Sequence, residues 1–237
     1  MEKSVAIEQA RALYYKFFAI VFGAKKSEKE VDDLIELLGL FMQNPMDEAS
    51  LDAVKNMSEF LRKYGLKGFK EECDDVFTSP ESSFVPFSAS YFDEGRDDGE
   101  KRVESAGYVF ESKFRKNELN TNDSEDTVAF LFSFMQTLLN AGKSGDSESL
   151  ALAKKMFEKV LNEFLDDFSS ILFSHESAFF YKNVAVLLYA FTEFERFYLD
   201  VAKSQKSASK ERASAVIQKD RKPLTQKVRR NLDEIVL

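Results

Sequence analysis

The chain has 237 residues, 44% of them hydrophobic and 31% charged, with a net charge of −8; this balance excludes a disordered chain. Only 4 Pro and 9 Gly are present, too few for the turns of a multistranded sheet protein. Cys73 is the only cysteine, which excludes an intramolecular disulfide and a cysteine zinc site, and no run of 18 apolar residues exists to span a bilayer. The expected class is all-α, a single helical domain of about nine to ten helices.

The first ten residues, MEKSVAIEQA, lack the basic and apolar regions of a secretory signal, so none is expected. Val5 to Phe22 reads as the first helix, with Leu13, Tyr14, Phe17, Ile20 and Val21 inward and Gly23 just past its end. Ser27 and Glu30 have capping-box spacing for a second helix that Asn44-Pro45 stops. Asp47 or Ser50 opens a third through Leu51, Val54, Met57, Leu61 and Tyr64, closed by Gly65; Phe69 to Phe77 forms a short fourth.

Ser79 to Gly95, SPESSFVPFSASYFDEG, is the one long stretch without a helical period. Loops of this length are functional or disordered more often than not, and Phe84, Phe87, Tyr91 and Phe92 imply that this one packs against something. Residues 79–99 are expected to join an N-terminal helical subdomain, to about 78, to a C-terminal one from about 100 to 200. Glu100 to Lys116 reads as a helix with Val103, Gly107, Phe110 and Phe114 inward, and Asn117 to Asn122 as a polar link.

Asn122 to Asn140 reads as the central helix. Val128, Leu131, Phe132, Met135, Leu138 and Leu139 form one stripe, while Phe130 and Phe134 lie on the opposite flank, so it should be buried on nearly all sides. Asp123 is expected to cap it in a box with Asp126, placing the carboxylates of Asp123, Glu125 and Asp126 at its positive end. Leu150 to Phe168 follows as an amphipathic helix, a turn near Ile171 leads on, and Ser177 to Asp200 is the last long helix. Beyond it lies a basic tail, partly helical or disordered, with Val216 and Ile217 as candidate anchors before Pro223. Ten basic residues against two acids between Lys203 and Arg230 give +8, the two acids of the last seven residues reduce the tail to +6, and residues 1–202 therefore carry −14. Such a body disfavours nucleic acid and favours cationic ligands or basic peptides.

Signatures of catalysis are missing: no phosphate loop, no nucleophile elbow, and His175 has no second histidine or cysteine to share a metal. A partly exposed loop is the expected setting for His175. The acidic trio could hold a divalent cation, but acids in a first helical turn are more often caps and dipole partners. The residues therefore support neither an enzyme nor a cofactor.

The opening ARALYYKFFAIVF, the segment VFTSPESSFVPFSASYFDEG and the run NDSEDTVAFLFSFMQTLL together resemble the TorD/DmsD/NarJ family of redox-enzyme maturation chaperones. Pro86 to Tyr91 is similar to that family's P-x-x-S-x-Y element, Asp126 to the aspartate of its Asp-His pair, and Phe134-Met135 to the end of its apolar run. Segments NEFLDDFSSIL and SAFFYKNVAVLLYAF resemble its final helices, so the likeness covers residues 5–200. Thr127 stands where the family has histidine, and Leu131 where glutamate is frequent. The resemblance implies a cytoplasmic chaperone that binds the twin-arginine signal peptide and catalytic subunit of a molybdenum or tungsten oxidoreductase, with formate dehydrogenase the preferred client. It implies a monomer or dimer, no nucleic acid and no stable membrane insertion. For an arginine pair beside an apolar run, the expected receptor is an apolar groove with carboxylates at one end. Asp123, Glu125 and Asp126 are expected to meet the arginines, and Pro86, Phe87, Ser90, Tyr91 and Phe130 to line the rest. The alternative is a helical adaptor whose basic tail contacts nucleic acid or an anionic partner.

Overall fold

The computed structural model describes residues 2–116 and 123–204; the polar link at 117–122 and the basic tail from 205, with its expected anchors Val216 and Ile217, lie outside the described residues. Residues up to Ser204 form one compact all-α unit. In chain order the helices are α1 (Glu2–Phe22), α2 (Glu28–Gln43), α3 (Glu48–Phe77), α4 (Ala89–Glu94), α5 (Glu100–Glu111), α6 (Val128–Lys143), α7 (Ser147–Met156), a π-helical turn (Phe157–Leu161), α8 (Asn162–Ser174) and α9 (Phe180–Leu199). No strand is formed among the described residues, and none of the described helices is long and apolar enough to cross a membrane.

The central helix is buried as its sequence requires. Val128, Ala129, Leu131, Phe132, Phe134, Met135, Leu138 and Leu139 are all inaccessible, leaving Ser133 and Asn140 outward. Its principal partner is α1. Phe132 sits among Tyr15, Phe18 and Phe22, with ring centroids at 6.0, 5.2 and 5.9 Å. Offset and tilted rings at such distances add to the burial of their large apolar areas. Helix α9 closes the other side against α3 and α8, and Phe191 meets Tyr14, Tyr15 and Phe18. One ionic tie crosses this core: Arg11 on α1 donates from Nε and Nη2 to the two carboxylate oxygens of Glu195 on α9, at 2.6 and 2.8 Å, and the Tyr15 hydroxyl donates to Glu195 as well. A buried fork of this kind is tolerated because every charge in it is paired.

Helix ends follow local chemistry, though not always at the expected residue. Asp47 and Ser50 form a reciprocal capping box at α3. Ser27 is the N-cap of α2 but its side chain makes no cap bond, so the box expected with Glu30 is not formed. Gly65 interrupts α3 with φ 57° and ψ −154°, where the sequence places a helix break. At the end of α1, Lys26 donates to the carbonyls of Ile20, Val21 and Gly23, groups that have no partner within the helix.

Two expected elements are corrected. The helix from 150 does not turn at Ile171: α7, the π turn and α8 run to Ser174, and the reversal falls at residues 175–179. One extra residue in the π turn rotates α8 without ending the helix. In α5 the buried face is Lys101, Ser105 and Val109, whereas Val103 is 73% and Phe110 80% exposed, opposite to the expected orientation. Lys101 can be buried because its ammonium meets Glu104, Glu163 and the Lys159 carbonyl of the π turn.

Candidate functional site

The segment expected to be a loop is tightly fastened. Ser82 donates to the Asp75 and Ser79 carbonyls, and the Ser83 N–H donates to Glu176 at 2.7 Å. His175, expected to be partly exposed, is buried; its Nε2 lies 3.0 Å from the Ser83 carbonyl oxygen and its Nδ1 accepts from the Ser177 N–H. It pins the segment to the α8–α9 turn. Phe87 packs on Phe22, Phe77 and Phe168, Phe92 on Phe164 and Phe168, and Phe84 on Tyr91. Residues 89–94, read from sequence as irregular, form α4. Ser88 caps it by accepting from the Tyr91 N–H, and Gly95 ends it in the left-handed region at φ 73°.

Two sequence motifs 36 residues apart meet here. Ser88 and Thr127 form an antiparallel bridge in which the Ala89 N–H donates to the Asp126 carbonyl and the Val128 N–H to the Phe87 carbonyl. The Asp126 side chain completes the joint. One carboxylate oxygen accepts from the Ser90 N–H at 3.1 Å, the other from the Ser124 hydroxyl at 2.7 Å. Ser90 in turn accepts the Arg102 N–H, tying α5 to the same point.

The structure thus brings together Pro86, Phe87, Ser90, Tyr91 and the start of α6, but it separates the acidic trio. Asp126 is 0% exposed with both oxygens in use, so in this conformation it does not face a ligand. Neither Asp123 nor Asp126 caps the helix; Thr127 does, its hydroxyl accepting from the Phe130 N–H. The expected box fails because Asp126 turns inward to α4, and a threonine suits the vacated cap. Glu125 is ion-paired with Lys116 at 3.1 Å and Arg102 at 3.4 Å. Burial opposes its charge, but backbone hydrogen bonding, Lys116 and Arg102 together hold the carboxyl below its ordinary range. Pro86 and Ser90 are buried, while Phe87, Tyr91, Asp123, Glu125 and Phe130 keep partial exposure.

Asp123 and Phe130 line an open groove of about 730 Å³ with Ile20, Lys16, Lys29 and Asp33. Lys116 approaches the Phe130 ring at 5.8 Å, and Phe134 stacks on it. The groove can seat an apolar side chain on Ile20 and Phe130, with both charge signs on its rim. For a metal, the trio does not converge; among the described residues Asp93, Glu94 and Glu100 bring one carboxylate oxygen each within 4.8 Å of the others. Glu94 there is already engaged by Arg96 and the Glu100 N–H. Sequence reasoning missed Ser124 and Arg102 as parts of this corner and gave Ser88 and Thr127 no role in it; the Ser88-Ala89-Ser90-Tyr91 run before α4 was the available signal.

The family description "Nitrate reductase delta subunit" matches residues 43–170. The match spans more than half of the chain, and the chain belongs to that family. A crystal structure of a candidate redox enzyme maturation protein from Archaeoglobus fulgidus shares the fold, with a TM-score of 0.51 and 17% identity over 77% of this chain and 92% of that one. No curated protein matches significantly.

Proposed function

We propose that this member of the nitrate reductase delta subunit family is a cytoplasmic maturation chaperone of a molybdenum or tungsten oxidoreductase, recognising the twin-arginine signal peptide of the catalytic subunit before export. The observation that carries the reading is the family match itself, which ends in α8 and takes in both motifs joined at the Asp126 corner. A chaperone of this kind needs a rigid frame presenting partly exposed aromatic and carboxylate groups, which the corner offers in Phe87, Tyr91, Glu125 and Phe130. Asp126 has a positioning role in this proposal: it fixes α4 and Tyr91 against α6. Glu125 and Asp123 remain the residues proposed to meet cationic groups, Glu125 by exchanging Lys116 or Arg102 for a guanidinium of the peptide. No catalytic step is assigned, and no cofactor is required.

The experiment is capture of the tagged full chain from its native cytoplasm, with the bound proteins identified by mass spectrometry. Recovery of an oxidoreductase precursor that retains its twin-arginine leader is the expected result. Recovery of nucleic acid or a regulator in its place, lost on deletion of the basic tail, would refute the chaperone reading and favour the adaptor.

A further inference from the structure

Helix α5 carries an apolar face that nothing among the described residues covers. Val103, Gly107 and Phe110, at i, i+4 and i+7, fall on one stripe opposite the buried Lys101, Ser105 and Val109. With Val103 73% and Phe110 80% exposed, the stripe is a patch of side chains and not a scatter of single surface residues. Gly107 puts a hollow between them, since a Cβ there would meet nothing within 4 Å. Glycine in the middle of an exposed helix destabilises it relative to alanine, and no contact within the described chain requires one here.

The two ends of this face carry opposite charge. Between Asp93 and Glu100 five carboxylates stand against Arg96 alone, and Asp93, Glu94 and Glu100 each bring one oxygen within 4.8 Å of the others. Among the described residues neither Asp97 nor Glu100 has an ion-pair partner, so this end is strongly acidic. At the other end Lys113, Arg115 and Lys116 stand against Glu111, which Lys155 already meets at 3.0 Å. Lys113 pairs with Asp146 and Lys116 with Glu125. Arg115 spends its guanidinium on the Ser112 and Phe114 carbonyls and lies 5.8 Å from the centre of the Phe110 ring; among the described residues no carboxylate pairs with it.

We infer that the outward face of α5 is a self-association surface, on which two copies of this chain pack α5 against α5, antiparallel about a two-fold axis beside Gly107. An axis midway between Val103 and Phe110 sets the Phe110 ring of each copy on Val103 of the other, and the missing side chain of Gly107 lets the two backbones approach. Charge selects the direction and the occupant. Antiparallel order carries the acidic end of one α5 to Arg115 of the second copy, whereas parallel order would press the two acidic ends together. A face whose apolar groups lie on both sides of one axis, and whose ends are opposite in sign, is complementary to itself, as a two-fold contact requires. One helix of this length from each copy buries less than the roughly 1,600 Å² of a standard interface, so the dimer is weak and depends on concentration. Its ionic ends are exposed and therefore sensitive to salt. The inference does not depend on the chaperone reading.

The test is sedimentation velocity on the full chain from micromolar to millimolar concentration. The mass should rise with concentration from 27.1 kDa towards twice that value, and less so at high salt. Phe110→Glu should weaken dimerisation by about tenfold or more by placing a charge at the centre of the contact. Gly107→Leu should do the same by filling the hollow, and Arg115→Glu should weaken it through the ends. All three positions are exposed, so unfolding midpoints should not fall. Tyr189→Glu, on the outer face of α9, should leave the equilibrium unchanged. A single 27.1 kDa species at every concentration overturns the inference, as does a dimer that survives both Phe110→Glu and Gly107→Leu. A monomeric chain whose capture of another protein is lost on Phe110→Glu overturns it too, by giving the face to that protein.

Discussion

Replacing Asp126 separates its two conceivable uses. In the structure its carboxylate is fully buried and accepts two hydrogen bonds, from the Ser90 N–H and the Ser124 hydroxyl. Hydrogen bonds to a charged group contribute about 1.5–3 kcal/mol each, and part of that is offset by the desolvation of the carboxylate, so Asp126→Ala should cost about 3 kcal/mol. Asp126→Asn should cost about 1 kcal/mol or less. Its amide oxygen can still accept from Ser90, and its NH₂ can donate to Ser124 once that hydroxyl turns its own proton away. Urea unfolding followed by far-UV circular dichroism measures both, at unchanged m-value. About 3 kcal/mol is roughly two powers of ten in the unfolding constant, well outside experimental scatter. An alanine variant as stable as the wild type would refute the positioning role. An asparagine variant that keeps its stability but loses peptide affinity would show that the charge itself reaches the ligand.

Other consequences follow from buried charge and strained backbone. Glu195→Ala should destabilise the fold by about 3–5 kcal/mol because it strands the buried Arg11, while Arg11→Met with Glu195→Leu should recover most of that loss in the same urea assay. Gly65→Ala should cost about 1–3 kcal/mol, read as a lower unfolding midpoint, because φ 57° with ψ −154° is open to glycine almost alone. Burial pushes Lys26 down from 10.5 to about 8, nearby Cys73 and Glu30 acting weakly the other way. Between those two pH values the unfolded chain holds the proton and the folded chain does not. Stability relative to Lys26→Met should therefore rise across that window, by about 2–3 kcal/mol at most, and a flat difference between the two urea series would contradict it.

Several features of this fold are local and were legible in the sequence. The run from Val128 to Asn140 is apolar on too many sides to face water, and it lies in the buried central helix, which begins at Val128 rather than at residue 122. Asn44-Pro45 and Gly65 break the chain where backbone sterics require. The resemblance read from Pro86 to Tyr91 and from Asp126 points to the family that the match establishes. The outcome was different wherever two distant segments had to share a residue. Val103 and Phe110 look like a core face, yet α5 buries Lys101 instead, because the π turn and Glu163, some sixty residues away, supply an acceptor and a countercharge. Asp126 has the spacing of a cap but turns to Ser90, and its geometry exists only once α4 lies on α6. Tyr64 fits the inward stripe of α3, but the bend at Gly65 and the arrival of Phe179 leave its ring half in solvent. Periodicity reports how one segment divides between core and water; which partner meets a polar or borderline residue depends on tertiary packing, and that packing placed both the Asp126 joint and the half-exposed Tyr64 ring.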